Sequence, residues 1–437
     1  MNDHIASRPP STPGTGHGRI STTTVRAIVE TGQRRRGLWR YLAMIGPAFV
    51  AGAWQFGPGN LTTAVQAGSR YQYALIWVIV ISTVLMIFLT DMSVRLGIRS
   101  PVSLISSIKE RLGRPAGVVA GVGVFLITLC FSVGNAVGSG LGLSLLIPGT
   151  PPVMWTIVCT AAVAAVLLLR SIYGVVEKVL IVLVALMAIC FVVSAFISQA
   201  DWAVAASGLI PTVPDGSWVL IIALVGTNFS INAAFYASYG TKERGRTEAD
   251  YRDLTVADTI PGIVAPGIMT ALVIVVSAAV LGATGRAADS IAGLAAIFEP
   301  LAGPVGGFVF ALGFFGAAFS SMIPNAMAGG TILSDAFGAG ASANTRTARL
   351  ASGFILLFGV SITVAFQGSS PVELIVLAQA LTVFVAPILA ALIVVMANRR
   401  DLMGDLRNRW WQNVAGAVGL VAVLALSIRL FVSLISG

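Results

Sequence analysis

The sequence predicts an all-α integral membrane protein of about eleven transmembrane helices, with its N-terminus inside and its first and sixth helices broken. Three observations predict it. Apolar residues make up 56% of the 437 and charged residues only 10%, with a mean hydropathy of +0.90. A soluble domain of this size cannot hide that much apolar surface, so the solvent is lipid. The apolar stretches are continuous rather than alternating and run to roughly 20 residues or more, the length of a membrane-crossing helix and not of a barrel strand. Finally, Lys and Arg concentrate in every second connecting segment, as the positive-inside rule requires.

Residues 1–38 are rich in Ser, Thr, Pro, Gly and Arg without an apolar period, and read as a disordered basic cytoplasmic tail. The tail has no short apolar core with a cleavage site, so no signal peptide is expected. Residues 39–437 form one transmembrane domain, with spans at about 41–68, 72–96, 115–147, 152–170, 174–198, 217–240, 258–283, 302–333, 348–367, 372–396 and 411–435. The inside segments carry Arg34–Arg36 and Arg40, then Arg95 to Arg114, Arg170 and Lys178, Lys242 to Arg252, Arg346 and Arg349, and Arg399 to Arg409. The outside segments hold little beyond Arg70 and Arg286, while Arg429 snorkels from the last span. This alternation requires an odd number of spans. It also accounts for the net charge of +9 without a nucleic-acid partner. Cys130, Cys159 and Cys190 lie in apolar runs as packing residues, and the only histidines, His4 and His17, lie in the tail, so no imidazole reaches the core.

Two spans are interrupted. Gly57-Pro58-Gly59-Asn60 lies within the first. Proline removes a backbone donor and glycine permits non-helical angles, and backbone freed at that depth must line a cavity or meet protein partners. The sixth span carries Asn228, Ser230 and Asn232 within Gly226–Gly240, and amides in lipid must pair or face water. First and sixth are corresponding members of two five-helix halves, 39–200 and 215–400, with 411–435 as an extra helix. Paired interruptions at corresponding positions point to an inverted-repeat transporter with a midplane site. Simple kinking of the first span and plain interhelical bonding in the sixth are the competing readings.

Gly46-Pro47-Ala48-Phe49, Pro58-Gly59-Asn60, Gln66-Ala67-Gly68, Tyr73, Leu75 and Trp77 resemble the first-helix signature of the NRAMP metal-ion transporters (natural resistance-associated macrophage proteins). Arg95-Leu96-Gly97-Ile98, Glu177-Lys178, Gln379 and Asn398–Gly404 are similar to that family as well, so the resemblance runs from about residue 40 to 405. It implies a LeuT-like 5+5 inverted repeat, alternating access and a bacterial inner-membrane location. The departures are specific. Gly57 stands where the family keeps a metal-binding aspartate, and Ser230-Ile231-Asn232-Ala233 stands in place of Met-Pro-His-Asn. Ala237 replaces a histidine, and Ser132 and Asn135 replace carboxylates of the family's proton path. Asn60 and Gln379 persist from the family's substrate shell.

Without charged ligands a divalent ion is poorly compensated for its lost water, and no sulfur or imidazole is present for a transition metal. The free N–H groups at Gly59 and Asn60 carry partial positive charge, which suits an anionic group. The sequence therefore favours a secondary transporter on an NRAMP-like scaffold that moves a small polar organic solute, such as a carboxylate. Divalent metal transport (Mg²⁺ or Mn²⁺) is the alternative, and a non-transporting membrane sensor a third reading. The expected substrate shell is Gly57, Gly59, Asn60, Asn228, Ser230, Asn232 and Gln379, walled by Trp54, Phe56 and Phe229. Ser132, Asn135, Asp91 and Glu177 are candidates for coupling to H⁺ or Na⁺, although Asp91 with Arg95 four residues on also reads as a helix-face pair. No cofactor, resident metal or enzymatic constellation is expected.

Overall fold

The computed structural model describes residues 56–169, 173–286, 288–298, 303–366 and 370–435. The basic tail, the first half of the first span and Trp54 lie outside them, as does the Glu177 side chain. Helices of nine or more residues are α1 Pro58–Tyr71, α2 Ile76–Arg99, α3 Leu104–Leu112, α4 Arg114–Leu146, α5 Pro152–Leu169, α6 Tyr173–Ile197 and α7 Trp218–Asn228. They continue as α8 Ile231–Glu243, α9 Ile260–Val280, α10 Pro304–Ala336, α11 Arg346–Ala365, α12 Pro371–Leu381, α13 Ala386–Ala397 and α14 Trp410–Ile435.

Helix is the dictated conformation because lipid leaves backbone groups no partners but each other. Proline sets several starts, standing in the first turn of α1, α4, α10 and α12, where a missing N–H removes no helical bond. Gly113 ends α3 and turns the chain into α4 at φ +96°, a conformation that a β-carbon disfavours.

Among the described residues seven helical segments are long and apolar enough to cross a membrane, the broken pair α7–α8 among them. The tenth span, predicted as one helix, is bent by 41° between α12 and α13. A 3₁₀ turn at Thr382–Phe384 leads into the bend, and Pro387 lacks the N–H that would bond the Val383 carbonyl, which breaks the ladder there. Adding this bent pair and the shorter apolar stretches in α5 and α6 gives ten of the eleven predicted spans, and α1 is the second half of the first.

The two longest helices, α4 and α10, at 33 residues each, pack along one another and form the centre. Of those seven segments the broken span is the most buried, with 83% of its apolar window inside the protein, whereas α14 has 17% and lies at the lipid-facing edge. Among the described residues three apolar clusters fill the interior, the smallest joining α4, α5, α10 and α11; the two larger ones meet at the broken span. One joins α1, α6, α7, α9 and α10; the other joins α2, α3, α4, α8 and α13. α7 belongs to the first and α8 to the second, so the break between them falls where the two clusters meet.

Candidate functional site

The start of α1 is buried. Its N-cap Gly57 has extended backbone (φ −84°, ψ −179°) and provides no side-chain cap. Leu61 N–H returns to the Gly57 carbonyl at 3.2 Å, and the Thr63 hydroxyl braces the first turn by donating to the carbonyls of Gly59 and Asn60. Asn60 is 2% exposed, and neither its Nδ2 nor its Oδ1 has a partner among the described residues. A buried amide left without partners costs about 1–3 kcal/mol per polar group, which marks Asn60 as a side chain kept for something other than packing.

The sixth-span break is a tight turn. Phe229 (ψ +63°) and Ser230 (φ −78°, ψ +76°) leave the helix, and Ile231 N–H bonds the Phe229 carbonyl at 2.9 Å, an inverse γ-turn centred on Ser230. That turn removes the three helical bonds that would reach the carbonyls of Gly226, Thr227 and Asn228, and no other backbone donor among the described residues replaces them. Three carbonyl oxygens are thereby freed at the end of α7. The Ser230 hydroxyl donates to Asn232 Oδ1 at 2.9 Å, tying these two buried side chains together.

Gln379 on α12 touches both breaks. A β-carbon built on Gly59 would stand 2.5 Å from its Cδ, and one on Gly226 would overlap its main-chain oxygen. Gln379 is 1% exposed and its Oε1 has no partner among the described residues. The opening proline also packs on α4, where a β-carbon on Gly138 would meet Pro58 Cβ at 2.5 Å. The start of α1, the end of α7, α4 and α12 therefore converge, and the donors gathered there are neutral oxygens. Among the described residues no three His, Cys, Asp or Glu side chains group as a metal site.

Several predicted site residues lie elsewhere. Asn228 Nδ2 donates to Ser82 Oγ (2.7 Å), Thr83 Oγ1 (2.9 Å) and the Ile79 carbonyl (3.3 Å), so its amide braces α7 on α2 and only Oδ1 is unpartnered. Asn228→Ala is expected to cost about 1–3 kcal/mol of stability while leaving cargo preference unchanged, read by thermal unfolding beside a binding titration. Phe229 lines a groove formed with α2 and α14. Phe56 stacks edge-on against Phe191 in an aromatic row that continues through Phe298 to Phe310, which is packing. Ser132 donates to the Ile355 carbonyl on α11 at 2.8 Å, and Asn135 is buried on α4. Asp91 is held in the helix-face pair: it accepts from Arg95 Nε at 2.9 Å and from the Tyr251 hydroxyl at 2.8 Å. Arg95 extends that network to the Leu406 carbonyl and Asn408, so Asp91 is a fastening at the Arg-rich end, not a carrier at the breaks.

Sequence reasoning missed a second fastening. Asp335, near the end of α10, accepts from Tyr239 on α8 (2.6 Å), from Ser106 (2.8 Å) and from Ser103, with Lys109 Nζ 3.7 Å from its Oδ1. The three-residue spacing of Ser103, Ser106 and Lys109 along α3 was the available signal. Tyr239→Phe removes the α8 contribution and is expected to loosen this end of the broken helix, seen as faster amide exchange along α8 than in the unaltered protein.

A bundle in which a broken sixth span and a helix starting at a buried Gly-Pro-Gly meet at a polar centre defines a multi-pass membrane transporter of the alternating-access type. The chain belongs to the family described as natural resistance-associated macrophage protein-like, whose model matches residues 48–433. It is 29% identical over 415 residues to the divalent metal cation transporter MntH of Verminephrobacter eiseniae, covering 92% of this chain and 91% of that one. It is 27% identical over 406 residues to MntH of Bacillus subtilis (91% and 93%). A manganese transporter of Eremococcus coleocola, solved as a point mutant, superposes with a TM-score of 0.76 at 21% identity, covering 92% of this chain and 89% of that one. MhsT in complex with L-phenylalanine superposes at 0.57 and 16% identity (87% and 98%). The fold is thus the LeuT-like one, in the membrane location expected of a bacterial relative.

These relatives correct the expectation of an organic solute. Full-length kin at this similarity are named for divalent metal cations. Neutral amide and carbonyl oxygens, expected from the sequence to be a poor offset for a doubly charged ion, are nevertheless ligands for hard cations, and the sixth-span turn frees three of them.

Proposed function

We propose that the protein is a transporter of a partly hydrated divalent cation, Mg²⁺ or Mn²⁺, held where α1, α4, α7 and α12 meet. One observation carries this reading: Asn60 Oδ1 and Gln379 Oε1 are both buried oxygens without donors, at two elements that touch. The carbonyls freed at Gly226, Thr227 and Asn228 add oxygens of the same kind. Amide and carbonyl oxygens suit hard cations, and Mg²⁺ keeps several waters in protein sites, so a neutral shell serves an ion that enters with part of its hydration. The relatives' names support a divalent cation as cargo.

Such a site binds weakly and separates Mn²⁺ from Mg²⁺ poorly, because nothing soft faces the ion. The membrane potential helps: two charges moving inward gain about 2.3 kcal/mol each per 100 mV. A coupling ion, H⁺ or Na⁺, adds to this if uptake follows its gradient. Asn60→Ala removes one of the two unpartnered side-chain oxygens and is expected to lower Mn²⁺ affinity by about tenfold or more, measured by titration calorimetry on the purified protein. Equal affinity in the variant would place the cargo elsewhere.

A further inference from the structure

We infer that Gly134 is a positioning residue for the cargo site: with Gly59 it forms a slot that fixes the Gln379 amide and leaves Oε1 as its free end. The inference rests on the cation reading above and names what holds one of its ligands in place.

Gly134 lies inside α4, where glycine costs about 0.5–1 kcal/mol relative to alanine. Its backbone gives no reason for that cost, because it is not among the residues with positive φ. Its surroundings do. A β-carbon there would stand 2.7 Å from Gln379 Nε2, and the next nearest atom, Ile375 Cγ2, is at an ordinary 3.9 Å. The Gln379 amide is thus the one group that excludes a methyl at Gly134. From the other side, a β-carbon on Gly59 would stand 2.6 Å from the same Nε2 and 2.9 Å from Cγ. The amide nitrogen is caught between two bare stretches of helix. The main-chain oxygen of the same residue accepts from the Thr382 hydroxyl at 2.7 Å and abuts Gly226. Both ends of Gln379 are therefore fixed, and Oε1 is left without a donor. A neutral oxygen binds a cation usefully only when it is held in place beforehand, since ordering a free glutamine costs up to about 2 kcal/mol.

The test uses Gly134→Ala in the full chain, with Mn²⁺ as the probe. The added methyl meets the far end of a flexible side chain, so the helix stays and the amide moves. Mn²⁺ affinity is expected to fall about tenfold with the unfolding temperature nearly unchanged, a split that a merely structural role would not produce. In a Gln379→Ala background, Gly134→Ala is expected to change affinity less than about twofold, because its target is gone. Gln379→Asn keeps the amide but withdraws it by one methylene, and is expected to lose as much as Gln379→Ala; this arm holds even if Gly134→Ala folds poorly. Unchanged affinity in Gly134→Ala, an equal loss in both backgrounds, or full binding by Gln379→Asn would overturn the slot alone. Failure of the unaltered protein to bind either Mn²⁺ or Mg²⁺ would overturn the cation reading, and the ligand role of Gln379 with it.

Discussion

Gly57→Asp is expected to raise Mn²⁺ affinity by about 10- to 100-fold. The backbone accepts the change, since Gly57 is extended at φ −84° and ψ −179°, angles open to any L-residue. It is also the N-cap of α1, where aspartate is among the preferred residues and where its charge meets the positive end of the helix. A carboxylate about 4 Å from a doubly charged ion gains roughly 8 kcal/mol of gross attraction at an effective dielectric near 20. Desolvating the new charge consumes several kcal/mol of that, leaving a net gain of about 1.4–2.8 kcal/mol. The change should also widen the gap between Mn²⁺ and Ca²⁺, since a smaller ion sits closer to the charge. Titration of the purified variant decides it, and an affinity equal to that of the unaltered protein would show that Gly57 does not face the cargo.

Asp91→Ala is expected to destabilise the fold by about 3–5 kcal/mol, the cost of stranding a buried charge. Arg95, its partner, is 2% exposed, and the pair sits in a closed set of bonds to Tyr251, Leu406 and Asn408. These bonds tie α2 to the turn ahead of α9 and to the segment before α14, so losing the carboxylate leaves the guanidinium short of its counter-charge and Tyr251 without an acceptor. Thermal unfolding in detergent measures the effect. A loss below about 1 kcal/mol would mean that water reaches the pair and screens it. Mn²⁺ affinity at the surviving fold is expected to stay the same, which separates Asp91 from the site residues.

The sequence revealed the span positions, the two breaks and the family because each rests on local chemistry: apolar length, proline with glycine, and amides where lipid penalises them. It was less legible where a side chain has a choice of direction. Asn228 and Asn232 are both amides near one break, yet one amide bonds Ser82 and Thr83 on α2 while the other is held by Ser230. Helical spacing does not reveal which. The 41° bend of the tenth span was hidden because Pro387 stands in an apolar run that reads as continuous. The Asp335 fastening joins residues from about 100 to more than 200 positions apart; the spacing of Ser103, Ser106 and Lys109 marks one polar face of α3 but does not name its distant acceptor. Cargo was the most consequential error. Missing carboxylates are visible in a sequence, whereas the carbonyl oxygens freed by an inverse γ-turn at Ser230 carry no residue code.

A neutral oxygen site between the start of α1, the end of α7 and α12 is proposed to carry divalent cations. Uptake of Mn²⁺ and Mg²⁺ into proteoliposomes, with the potential set inside-negative, tests it most directly. Saturable flux of both ions is expected, rising with the potential and falling about tenfold or more at low ion concentration in Asn60→Ala. Flux of neither ion above empty vesicles, or flux that survives Asn60→Ala intact, would contradict it.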